Sequence, residues 1–163
     1  MKKIILFFAS VMMAAGVASA QDINSVTETY NNGAMELEMG NKEAAIGYFQ
    51  AALTAAEELG EEGAQIAENC KSYIPVLMGS IAKDLIKADS FDAAVEQLNK
   101  AIEAAGKYEV PEVADDANAL IPQVYVSKGN NLLNAKDAAG AAAAYQQALD
   151  LDPANGMAAF RLG

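Results

Sequence analysis

Carboxylates are the commonest ionisable groups of this chain, and they gather at three places. Glu57-Glu58 stand with Glu61-Glu62, Glu112 with Asp115-Asp116, and Asp150 with Asp152. Such groups could hold calcium or share a proton in acid–base work. None has the alternating oxygen ligands and central glycine of a calcium loop, and paired carboxylates near helix ends read as solvated faces. Ser80 follows Gly79 between Met78 and Ile81, with no base to activate it, because the chain has no His. That absence also removes Ser-His-Asp and Cys-His pairs and His-ligated metals. The single Cys, Cys70, excludes an intramolecular disulfide, a four-Cys zinc site and a CxxC redox pair. It stands at helical spacing with Ile66, Ala67, Tyr73 and Ile74, which reads as a buried structural thiol. No glycine-rich phosphate loop, nucleophile elbow or HExxH sequence is present. The expectation is a non-enzyme without cofactor or metal.

The elements that would carry any site are helical. Ala fills 35 of the 163 positions and there are four prolines, a composition that favours helix over sheet. With 11 Lys and Arg against 22 Asp and Glu, the net charge is −11, which argues against nucleic acid as a partner. The chain opens with Met1-Lys2-Lys3, an apolar run from Ile4 to Val17, and Ala18-Ser19-Ala20. This is the plan of a secretory signal peptide, here residues 1–20, with cleavage after Ala20. The run is shorter than the ~20 residues that span a bilayer, and no Cys follows it to form a lipobox. The expected location is periplasmic or secreted, without membrane insertion after cleavage. The processed chain loses two lysines and carries −13.

Three segments of the remainder repeat one pattern. A small residue (Gly33, Ala82, Gly129) is followed twelve positions on by another (Ala45, Ala94, Ala141). Four on comes a large apolar residue (Phe49, Leu98, Tyr145), and three further an alanine (Ala52, Ala101, Ala148). Offsets of four and three share a helix face. Turns at Gly40-Asn41, Asp89-Ser90 and Lys136-Asp137 join two helices per segment. The pattern predicts antiparallel hairpins packed closely at the small residues.

With Pro153 closing the third segment, this arrangement resembles the tetratricopeptide repeat family, whose unit is a helix–turn–helix of this kind. The resemblance implies an all-α solenoid of stacked hairpins over residues 21–163, with units about 22–59, 61–106 and 111–153. Met157, Phe160 and Leu162 would belong to a partial unit at 155–163, cut within its first helix, whose uncovered face would support weak self-association. The units are longer than the family's usual 34 residues. Gly33 to Ala82 spans 49 and Ala82 to Gly129 spans 47, and Ile74-Pro75 recurs as Ile121-Pro122. The added stretches, near 59–73 and 106–120, read as helices that Pro75 and Pro122 kink or restart.

In the resembling family the first helices line a ligand groove. Carried over by register, the groove positions here are Thr27, Tyr30 and Leu37; Val76, Lys83 and Lys87, with Gly79 between them; and Gln123, Val126, Asn130 and Asn134. Tyr30 and Ala34 stand where some members have a Lys-Asn clamp for a terminal carboxylate, so that clamp is not expected. The implied function is a protein- or peptide-binding scaffold in cell-envelope assembly, for a partner of basic and apolar character. Two alternatives stay open: an interaction module of a longer protein with a catalytic or surface domain beyond Gly163, and a small-ligand-binding helical protein. In another reading the added stretches occlude the groove.

Overall fold

The computed structural model describes residues 22–163. The segment 1–20, expected to be a signal peptide, and its expected cleavage point lie outside the described residues. The described chain is all-α: α1 (Ile23–Glu38), α2 (Lys42–Glu58), α3 (Ala64–Lys87), α4 (Phe91–Tyr108), α5 (Pro111–Asn134), α6 (Ala138–Leu151) and α7 (Gly156–Leu162). Each helix packs on the next, and α3 also touches α1 and α5, so the hairpins stack in chain order.

The three hairpin turns are copies of one backbone motif. Gly40, Asp89 and Lys136 each take a positive φ, of 83°, 55° and 65°. The next amide N–H of each turn then reaches back five residues: Asn41 to the carbonyl of Glu36, Ser90 to Leu85 and Asp137 to Leu132, at 2.8–2.9 Å. These bonds satisfy carbonyls that a helix end leaves open, the Schellman closure. Left-handed backbone costs glycine nothing and other residues about 1–2 kcal/mol, so two of the three turns are strained. Asp137 also starts α6, its carboxylate accepting from the Gly140 N–H at 2.8 Å. Asp22 caps α1 in the same way through Ser25 at 2.9 Å.

The repeated positions meet inside the hairpins. A Cβ placed on Gly33 would lie 2.9 Å from Phe49 Cε1, and one on Gly129 only 2.5 Å from Tyr145 Cε1. The ring therefore rests directly on the backbone of the first helix. Ala45, Ala52, Ala82, Ala94, Ala101 and Ala148 are wholly inaccessible, with Ala141 and Leu98 nearly so. The hydroxyl of Tyr145 donates to Asn130 Oδ1 at 2.8 Å, giving a mostly buried ring a polar partner. Pro153 is exposed in the turn after α6, where the Asn155 side chain caps α7 by accepting from Ala158 at 3.1 Å.

The added stretches are not separate helices. Gly60–Glu62 form a short 3-10 turn, and the rest of the first stretch is the opening of α3. The second stretch ends α4 and opens α5. Both long first helices have 24 residues against 16 in α1, and both run unbroken through a buried proline, Pro75 or Pro122. No restart occurs. An interior proline costs a lone helix about 3 kcal/mol, and burial against the flanking second helices offsets that here. Across hairpins, Lys42 at the start of α2 pairs with Asp84 of α3, and Lys128 of α5 pairs with Asp92 at the start of α4.

Candidate functional site

The first helices α3 and α5 lie side by side, and the open ground between them holds two clefts. One is a half-open space of about 120 Å³, with Val76, Gly79 and Lys83 on the α3 side and Val113, Asp116, Ala117 and Leu120 on the α5 side. Its floor is Leu98 of α4, which fills the gap inside the second hairpin. The α5 wall comes from the added opening turns, so the extension builds a wall of the cleft rather than covering the face. The other cleft, of about 400 Å³, lies further along the same two helices and is lined by Ile86, Lys87 and Phe91 opposite Ser127, Asn130 and Asn134.

The candidate positions therefore sort into groups. Val76 and Lys83 share the first cleft; Lys87, Asn130 and Asn134 share the second. Gln123 is exposed between them, its amide donating to the Ala119 carbonyl at 3.2 Å. The residues of α1 join neither cleft. Thr27 turns its hydroxyl to the Ile23 carbonyl at 2.7 Å, and Leu37 packs on the first core. Tyr30 packs at a tilt against Phe49 with ring centroids 5.4 Å apart, and Phe49 stacks on Tyr73 at 5.5 Å. Burial, and secondarily the Tyr73 hydroxyl beside it, raise the Tyr30 phenol above the ordinary tyrosine range. Val126 is buried in one cluster with Ala141, Tyr145, Ala148 and Ala158 and presents nothing to a groove.

Charge on this face is partly spent. Lys87 pairs with Asp84 at 3.2 Å, and hydrogen bonds from Lys42 and Lys87 hold the Asp84 carboxyl below its usual range. Lys83 and Asp116 have no ion-pair partner among the described residues.

A groove that sequence reasoning missed runs on the opposite side, between α2 and α4 over α3. Lys71, Lys100, Lys107 and Tyr108 line it, with Gln50. Its lysines are scattered in sequence, and only the hairpin geometry collects them. Two are neutralised: Lys71 by Glu57 and Glu68 at 3.3 and 3.5 Å, and Lys100 by Glu96 at 2.7 Å. Lys107 lies 5.1 Å from the centroid of Tyr108. The groove is close to electrically balanced.

Chemistry is sparse elsewhere. Cys70 is fully buried, and burial pushes its thiol up to about 11, so it has little thiolate with which to react. No group of three or more carboxylates or thiols among the described residues is arranged to hold a metal. No helix among them is long and apolar enough to cross a membrane.

No curated protein matches the chain in sequence. Residues 122–155 match the family model for the tetratricopeptide repeat. That window holds the part of α5 from Pro122 onward, its Schellman turn, all of α6 and the turn at Pro153. Repeats of this family are in general protein-interaction modules rather than catalysts. The chain is thus a stack of helix hairpins in which one, α5 from Pro122 onward with α6, matches the tetratricopeptide repeat.

Proposed function

We propose that this is an exported, non-enzymatic scaffold that binds a protein or peptide segment across α3 and α5, acting in the assembly of cell-envelope complexes. The observation that carries the reading is the pair of adjacent clefts between these helices, one apolar with an unpaired charge on each bank, the other mixed, with Lys87, Asp89 and asparagine amides beside Ile86 and Phe91. A tetratricopeptide repeat supplies this kind of surface without built-in chemistry. The net charge of −11 favours approach by segments with basic as well as apolar residues. The apolar cleft, at about 120 Å³, is small beside the ~300–1,000 Å³ of sites for drug-sized ligands. It suits a side chain better than a free metabolite.

Photo-crosslinking in an exporting host tests the binding face. A crosslinking residue at position 76 or 134 should yield discrete adducts, and one at Asn99, exposed on α4, should not. Equal adduct patterns at the three sites would remove the assignment. Export is tested separately by mass spectrometry, where the recovered chain should begin at Gln21. A chain retaining Met1 in the membrane fraction would overturn that part.

A further inference from the structure

The same repeat position is occupied differently in the three hairpins. Counting back 49 residues from Gly79 gives Tyr30, and counting forward 47 gives Val126. Each stands on a first helix, facing the large residue of its own hairpin and the next first helix. In the first unit Tyr30 fills that wedge, against Phe49 and beside Tyr73 of α3. In the third, Val126 fills it, buried with Tyr145 and with Ala158 of α7. In the second, glycine leaves it open over Leu98, and the open space is the apolar cleft.

Packing does not require glycine there. A Cβ on Gly79 would meet no atom within 4 Å, whereas one on Gly33 or Gly129 would strike a ring. Gly47 and Gly106 are equally free of neighbours, but both are exposed to solvent, while Gly79 is half-buried between walls. Glycine in a helix interior weakens it relative to alanine, so α3 carries a local disadvantage whose structural effect is an empty socket.

We infer that the cleft at Gly79 is a socket for one aliphatic side chain of the partner, seated where Tyr30 and Val126 supply an internal side chain in the neighbouring hairpins. This rests on the reading of α3 and α5 as the binding face. The walls, Val76, Val113, Ala117 and Leu120, are apolar, and the banks carry Lys83 and Asp116 without ion-pair partners. The matching segment presents the aliphatic residue beside one acidic and one basic residue.

Two blocked heptapeptides test this, acetyl-Ala-Ala-Glu-Leu-Lys-Ala-Ala-amide and its Lys-Leu-Glu counterpart, each paired with a control in which alanine replaces the leucine. They are titrated into the 15N-labelled full chain and followed by amide shifts. At least one leucine peptide should shift the amides of Gly79, Lys83 and Leu120 saturably, and its alanine control should bind about tenfold more weakly or worse. Gly79→Val should abolish the response without lowering the melting temperature, and Gly79→Ala should weaken it partially. Shifts along Asn130 and Asn134 that ignore both the leucine and Gly79→Val would overturn the socket and leave the binding face standing. No shift at Gly79, Leu120, Asn130 or Asn134 with either leucine peptide would overturn the socket and count against the face as well.

Discussion

Around Phe49 the first hairpin gathers Val26, Ile46 and Leu53, and α3 adds Ile74, Leu77 and Ile81. Around Tyr145 the last gathers Val126 and a set of alanines, Ala141, Ala148 and Ala158. The two share a backbone plan, down to the left-handed turn residue, yet the fully buried side chains differ in kind, branched and aromatic in the first and mostly alanine in the last. Because each hairpin of a stacked array contacts only its neighbours, stability is held locally. The N-terminal part is thick with branched and aromatic side chains, and the C-terminal part relies on close approach of backbones. At its far side Phe160 is 78% exposed and Leu151 57%, so α7 is docked through little more than Ala158. The difference shows that one helical register can be satisfied with or without a deep core.

The sharpest way to break that comparison is to truncate one buried side chain in each region. Phe49→Ala should cost about 3–5 kcal/mol, read as a shift in the urea midpoint. Val126→Ala removes two buried methyl groups and should cost roughly 1–2 kcal/mol. Equal losses would show that both ends have cores of similar depth.

Backbone contact is probed by adding one methyl group. Gly129→Ala forces a Cβ to 2.5 Å from Tyr145 Cε1, and Gly33→Ala to 2.9 Å from Phe49 Cε1. Overpacking of this kind costs about 1–3 kcal/mol, and Gly129→Ala should lie at the upper end. A smaller loss at Gly129 than at Gly33 would show that the thinner hairpin yields more readily. Ala94→Leu and Ala141→Leu, at inaccessible positions in the second helices, fall in the same range.

Turn strain offers a stabilising test. Lys136→Gly relieves a positive φ of 65° and should raise stability by about 0.5–1 kcal/mol, the relief of left-handed strain less the added freedom of the unfolded glycine. Asp89→Gly should gain less, because Asp tolerates this conformation better. Thermal melts of the two variants decide the order.

The smallest perturbation uses thiols. Cys70, fully buried in the thick core, should alkylate slowly at pH 8, and Cys70→Ser with Ala158→Cys should react much faster because α7 opens easily. Folding holds the Cys70 thiol near 11 against an ordinary 9.0. Its contribution to stability is therefore fully present below about pH 9 and is lost as pH rises toward 11. Melting temperatures of the wild type and Cys70→Ser should converge over that window. Parallel curves would show that the thiol does not titrate with unfolding.

Helical content and the hairpin turns were legible because they are local. Small–large–small offsets and turn residues between them determine a hairpin whatever surrounds it. Continuity through Pro75 and Pro122 was not legible, since a proline breaks an isolated helix and only burial between neighbouring helices keeps these two whole. Among the groove positions, register alone placed Val76 with Lys83 and Asn130 with Asn134. It could not foresee that Val126 is buried in one cluster with Tyr145 and Ala158, nor that Tyr30 is drawn against Phe49, which itself stacks on Tyr73. Both outcomes depend on elements further along the chain. The cleft at Gly79 depends on the opening turns of α5, whose wall residues stand 37 positions after their α3 counterparts, as Val113 does after Val76.

The alanines at the points of closest approach have a mechanical consequence. A buried leucine can change rotamer and let two helices slide or spread; alanine has no rotamer to change. Where Ala45, Ala94 and Ala141 meet the first helices, strain applied along the array cannot be absorbed by side chains. It is directed into rotations of one hairpin against the next, which the apolar seams at Phe49 with Ile74 and at Leu98 with Ile121 resist and the Lys42–Asp84 and Asp92–Lys128 pairs border. Exposed charge pairs soften as ionic strength rises. Salt can therefore soften only these bordering pairs, while the apolar seams that join α2 to α3 and α4 to α5 keep the resistance to rotation.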